Sequence, residues 1–123
     1  MKTIQSGSAP KPIGPYSQGI EINGFLFLSG QIGIAPESGN LADGLIEQTR
    51  QIFRNISAVL ESAGCRLSDV IKSTVYIKNM SDVPRFNEVY AEFFKSDPPA
   101  RSTVEVSALP RNALVEIDVI AHK

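Results

Sequence analysis

The chain has 123 residues, 42% of them hydrophobic, and sets twelve lysines and arginines against thirteen aspartates and glutamates for a net charge of −1. That length and apolar fraction suit one domain over residues 1–123 around a single core, and the dispersed charge offers no footprint for nucleic acid or an anionic membrane. A single cysteine, Cys65, and a single histidine, His122, exclude an intramolecular disulfide and a His/Cys zinc centre, and would base a Ser-His-Asp triad on a terminal histidine.

No secretory leader and no apolar run long enough for a bilayer is visible, so a reducing cytosol is the expected location and Cys65 the expected packing residue. Gly30-Gln31-Ile32-Gly33 lacks the rest of a P-loop or dinucleotide fingerprint, and neither a metal nor a cofactor is expected.

In chain order, Lys2 to Ile4 reads as a short strand and Ser6 to Pro15 as an ordered Pro/Gly loop. Ser17 to Ile22 and Phe25 to Ser29 flank Asn23-Gly24, the pair that a type I′ hairpin turn favours because both central residues need positive φ. After a loop at Ala35 to Asn40, Leu45, Thr49, Ile52, Ile56, Val59, Leu60 and Ala63 recur at helical spacing, and Gly64 ends the helix. Val70 to Lys78 is a β-branched strand. Ser81 or Asp82 is then expected to cap a second helix, with Val83, Phe86, Val89, Tyr90 and Phe93 or Phe94 on its buried side. Strands at Ser102 to Val106 and Leu114 to Ala121 complete the order.

This is an α+β pattern, strands β-ββαβαββ, in which two helices cover one face of a mixed sheet. Phe25-Leu26-Phe27-Leu28 is apolar on both faces, and the last strand sets Val115, Ile117 and Val119 against Ile120, Glu116 and Asp118. Two helices cannot bury two faces, so the surplus apolar surface predicts a homo-oligomer.

The chemistry-bearing residues lie late in the chain. Pro99-Ala100-Arg101-Ser102-Thr103-Val104 and Leu114-Val115-Glu116-Ile117-Asp118-Val119 each embed a charge in strand-like apolar sequence. Arginine grips a carboxylate through two parallel hydrogen bonds, and a glutamate there could orient a water or share a proton. Read from spacing alone, an arginine at a strand start and a glutamate on a solvent face are ordinarily surface charges.

Those two segments, together with Ile13-Gly14-Pro15-Tyr16-Ser17-Gln18-Gly19, Leu28-Ser29-Gly30-Gln31-Ile32, Val75-Tyr76-Ile77 and Phe86-Asn87-Glu88-Val89-Tyr90, resemble the motifs of the Rid (YjgF) family in order and spacing across essentially the whole chain. The resemblance implies a chorismate-mutase-like α+β fold, trimers with pockets between subunits, and, for the RidA type, cofactor-free hydrolysis of reactive imino and enamino acids such as 2-iminopropanoate and 2-iminobutanoate to 2-keto acids and ammonia. By the same resemblance Arg101 binds the substrate carboxylate, and Glu116 positions or activates water or stabilises the protonated imine nitrogen. Tyr16 lines the pocket wall, with loop packing on the hairpin as its plain alternative. Ser29 and Gly30 bring backbone to the substrate, a role compatible with a β-bulge. Asn87 lies near the site, unless it simply faces solvent. Thr103 stands where RidA-type members often carry cysteine, so thiol regulation is not expected, while a backbone role survives.

A non-catalytic module that binds a 2-keto acid would use Arg101 equally well. A ribonuclease or translation inhibitor, as some members have been described, needs a basic surface and a placed histidine, and the chain carries neither.

Overall fold

Asn23 and Gly24 take φ of 50° and 81°, the left-handed pair of a type I′ turn, and join β2 (Gly19–Ile22) to β3 (Phe25–Leu28) in a computed structural model that describes residues 1–123. Preceding them is β1 (Lys2–Ile4). Following them are α1 (Gly44–Ser62), β4 (Val70–Ile77), α2 (Val83–Phe93), β5 (Ala100–Glu105) and β6 (Val115–His122). The six strands form one sheet in the order β1-β2-β3-β6-β4-β5, antiparallel except where α2 carries the chain from β4 to a parallel β5. A Cβ on Gly24 would sit 3.2 Å from His122 Nε2 as well as in the left-handed region. Gly24→Ala is therefore expected to cost about 1–2 kcal/mol, read as a lower urea midpoint at unchanged slope.

Both helices lie on one side of the sheet. Ile52, Phe53, Ile56, Val59 and Leu60 of α1 and Phe86 of α2 are fully buried against Leu26, Val75, Ile77, Val115 and Ile117. Phe53 stacks on Phe93 at 4.5 Å and meets Tyr90 and Phe94 edge-on, so α2 is docked largely through aromatic rings.

On the other side, Phe27 is 44% exposed, and Ile22, Phe25 and Val104 are also open to solvent. The alternation expected for β6 holds: Val115, Ile117 and Val119 face the helices, while Glu116, Asp118 and Ile120 face away. No helix is long and apolar enough to cross a membrane.

Two sequence expectations need correction. Strand β5 begins at Ala100, two residues before the expected Ser102, because Lys72 of β4 already pairs with Ala100. Asp82 immediately precedes α2 but its side chain caps nothing. Met80–Asp82 forms a 3-10 turn that runs directly into the helix, so Asp82 has helical backbone angles and its carboxylate instead lies 3.8 Å from Arg85.

Buried amides hold the loops that frame the cleft described below. The Asn55 side chain donates to the Ile34 carbonyl at 2.9 Å, and Gln48 accepts from Leu114 N at 2.9 Å while donating to Ala42 O at 3.1 Å. A Cβ on Gly33 would stand 2.6 Å from Gln48 Cα, so only glycine lets that loop approach α1 so closely. Cys65 is buried, and desolvation, seconded by Asp69, pushes its thiol pKa up, as befits an unreactive packing residue.

Candidate active site

Strand β3 hands the chain to Ser29, Gly30 and Gln31, which run beside β6. Phe27 pairs with Ile120 and Gln31 with Ile117, so four residue steps on one side oppose three on the other. The extra residue is a bulge. It is pinned at both ends: Ser29 N donates to Gln18 O at 2.9 Å and Ser29 Oγ to Ser17 O at 2.6 Å, while Gln31 and Ile117 exchange both backbone hydrogen bonds.

Gly30 sits under the side chain of Glu116. A Cβ there would lie 2.9 Å from Glu116 Cδ and overlap the carboxylate itself. The bulge read from the sequence is present, and the group its bared backbone approaches in this chain is the Glu116 carboxylate.

Glu116 is half-buried, and its pKa is raised, first by desolvation and then by the neighbouring charge of Asp118. Asp118 itself accepts a hydrogen bond from Tyr76 Oη at 3.1 Å, which ties it to the sheet as a structural polar residue. Because the folded pKa of Glu116 lies above its unfolded value, the folded state holds the proton more tightly. Stability contributed by this group is therefore full below the unfolded pKa and is lost as pH rises through the folded one. Glu116→Gln is expected to raise the thermal midpoint at neutral pH and to flatten its dependence on pH across the weakly acidic range, as scanning calorimetry in matched buffers would read.

Ser29, Gly30 and Glu116 line a cleft of about 930 Å³ together with Tyr16, Gln31 and Arg111. Tyr16 is 53% exposed and stands at the wall beside Gly14 rather than packed into the hairpin. Its loop is held by buried Gln18, whose side chain donates to Pro10 O at 2.9 Å and Ser6 O at 3.2 Å and accepts from Ser6 N at 2.6 Å.

Arg111 and Asn112 occupy the left-handed region at φ 58° and 57°, and the Arg111 guanidinium donates to Gly39 O at 3.3 Å across the cleft's edge. Neither Gln18 nor Arg111 was legible as a site residue. Pro110-Arg111-Asn112 shows in sequence only as a turn, and what a turn faces depends on the whole sheet.

Arg101 lies elsewhere. In the parallel register of β4 and β5 it pairs with Ser73, and Thr103 pairs with Val75, so both point to the helix side. The Arg101 Cζ sits 4.8 Å from the centre of the Tyr90 ring and 5.7 Å from that of Phe86, and none of the ion pairs engages it. Thr103 is half-buried beside it on the same face. Asn87 follows Phe86 on α2, exposed and outside the cleft.

Glu116 pairs with Tyr76, three residues beyond Ser73 on β4, and therefore faces the opposite side of the sheet from Arg101. Within one chain the candidate residues form two groups: Tyr16, Ser29, Gly30 and Glu116 at the cleft, and Arg101 and Thr103 over the aromatic rings of α2.

Six mixed strands in one sheet with two helices on one side define an α+β protein. Residues 6–123 match the model of the family described as Endoribonuclease L-PSP. A RutC family protein of Pyrococcus horikoshii is 54% identical over 123 residues, covering 99% of this chain and 98% of that one. A protein of Dermatophagoides farinae named 2-iminobutanoate/2-iminopropanoate deaminase is 45% identical over 120 residues, covering 97% and 94%. The crystal structure of RidA from a Psychrobacter species superimposes with a TM-score of 0.97 at 39% identity, covering 100% of both chains. The chain belongs to this family, the RutC and Rid (YjgF) proteins.

Proposed function

We propose that the protein hydrolyses small 2-imino and enamino acids, of the 2-iminopropanoate and 2-iminobutanoate kind, to 2-keto acids and ammonia. It does so without a cofactor, in the cytosol, on imines released by pyridoxal-phosphate enzymes. The observation that carries this reading is that one chain holds both an arginine free of any carboxylate and, on the opposite face of the sheet, a half-buried glutamate of raised pKa over a bared backbone. One group suits a substrate carboxylate and the other a proton in transit.

Arg101 and Glu116 face opposite sides of one sheet, so a site containing both takes Arg101 from one subunit and Glu116 from the next. The exposed Phe25, Phe27, Ile22 and Val104 supply an apolar face for such association, and a homotrimer with three equivalent intersubunit sites follows the family pattern. Thr103 and Asn87 would accompany Arg101 into that site, and Tyr16 would close its wall.

An imine conjugated to a carboxylate is already electrophilic, so the task is to hold it and aim water at C2. Arg101 takes the carboxylate through both guanidinium nitrogens. Glu116 accepts a proton from the attacking water and returns it to the nitrogen, giving a tetrahedral carbinolamine. Glu116 then carries the hydroxyl proton to the amino nitrogen, and collapse of that species forms the C2 carbonyl, breaks the C–N bond and releases ammonia. Ser29 and the backbone at Gly30 stand where a polar substrate atom can be held against the bulge.

A net charge of −1 gives RNA no overall electrostatic attraction and so favours the small-molecule reading. The test is to generate 2-iminobutanoate with a threonine dehydratase and follow its loss against semicarbazide as competing trap. Faster loss with the protein than in its absence is expected. Equal loss across several imino acids would leave a 2-keto-acid-binding module in its place.

A further inference from the structure

Arg101 is held in an unusual setting, and the residues that hold it include two with no role so far. Its guanidinium lies over the Tyr90 ring at 4.8 Å, with Phe86 further out at 5.7 Å. The Tyr90 hydroxyl and Ser73 Oγ lie 2.7 Å apart in a hydrogen bond, with Ser73 fully buried and Tyr90 only 7% exposed. Ser73 is also the residue directly opposite Arg101 across β4 and β5. Strand, helix and strand therefore close a small frame in which the Tyr90 ring cannot swing away from Arg101 without breaking a buried hydrogen bond.

No carboxylate competes for Arg101. Glu105, on the same face of β5, is taken by the backbone N–H of Met80 at 2.7 Å. Tyr90 remains neutral, since desolvation outweighs the opposing influence of Ser73 and Arg101 and raises its pKa, so it offers the guanidinium a π-face and not a counter-charge. An aromatic face fixes the plane of a guanidinium while leaving its edge N–H groups free. A carboxylate partner would occupy those groups.

We propose that Tyr90, braced by Ser73, is a positioning residue for Arg101, setting the plane in which its two-pronged edge meets a substrate carboxylate. This rests on Arg101 being the carboxylate anchor of the proposed reaction. It predicts that Tyr90 and Ser73 matter for ligands that carry a carboxylate and not for otherwise identical ligands that lack one.

The experiment compares binding of 2-oxobutanoate and its primary amide by calorimetry in the wild type, Tyr90→Phe, Tyr90→Leu, Ser73→Ala and Arg101→Ala. Tyr90→Phe keeps the ring but loses the hydrogen bond to Ser73 and should weaken the acid roughly threefold, whereas Tyr90→Leu also removes the ring and should weaken it about tenfold, the scale of one cation–π contact, with the amide unchanged in both. Should the leucine variant fail to fold, Ser73→Ala carries the test, with an expected loss of roughly threefold for the acid alone, the scale of one hydrogen bond.

Equal losses for acid and amide would make Tyr90 a structural residue only, and no loss for the acid would remove its role altogether. Wild-type affinity in Arg101→Ala would also overturn the proposal. If the acid binds selectively but no imine is hydrolysed, the positioning role stands and the deaminase reading falls.

Discussion

Arg101→Lys is expected to lower kcat/KM for 2-iminobutanoate by about 10–100-fold, and Arg101→Ala by about 10³-fold, because charge-assisted hydrogen bonds to a carboxylate are worth roughly 1.5–3 kcal/mol each. Lysine keeps the charge but offers a point donor where the guanidinium offers a fork. It also lacks the flat face that rests on Tyr90 and Phe86. Arg101 is half-buried at an edge strand and makes no ion pair, so its removal should leave the thermal midpoint nearly unchanged. Steady-state kinetics beside a melting curve separates the two effects. A lysine variant as active as wild type would show that charge alone suffices and that the fork is idle.

The second large effect is expected at a residue with no functional group. Gly30→Ala would place a methyl 2.9 Å from Glu116 Cδ and in overlap with its carboxylate oxygens. The φ of Gly30 is not in the left-handed region, so the backbone accepts alanine and the flexible carboxylate gives way. Displacing a proton-transfer group by about 1 Å costs on the order of 10²-fold in rate, so kcat should fall by that factor while the protein melts at nearly the wild-type temperature. Combined with Glu116→Gln, the alanine should add almost nothing, since both changes remove the same group from the same place. Additive losses would mean that Gly30 acts through its own backbone and not through Glu116.

Much of the fold was legible because local chemistry and global pattern agree. Asn23-Gly24 sits between two apolar runs and forms the turn it encodes. The apolar stripe from Leu45 to Leu60 is buried as its spacing requires, and the two-faced β3 leaves Phe25 and Phe27 exposed as the shortage of helices demands. Asp82 misled because a capping residue type does not disclose that the chain before it is already turning.

The site was legible as residue types and not as a constellation. Period-two alternation places Glu116 with Asp118, but which face Arg101 shares depends on the parallel register of β4 and β5, fixed by α2 and not by any local pattern. The same holds for Tyr90. Its spacing marks it as a core residue, and it is one, yet the guanidinium on its ring is visible only once strand and helix are assembled. Gln18 and Arg111 were hidden for the opposite reason, since a buried amide and a strained turn leave no periodic trace.

Mixing inactive subunits decides whether the deaminase site is built from Arg101 of one subunit and Glu116 of another. Arg101→Ala and Glu116→Gln chains would be co-expressed with different tags, isolated as the mixed population, and assayed for 2-iminobutanoate hydrolysis beside each variant alone. Random assembly of a cyclic trimer leaves one intact site of three in each mixed particle, so the isolated mixed population is expected to recover about a third of the wild-type activity. Mixed particles no more active than the single variants, in a protein whose wild type hydrolyses the imine, would contradict a shared site.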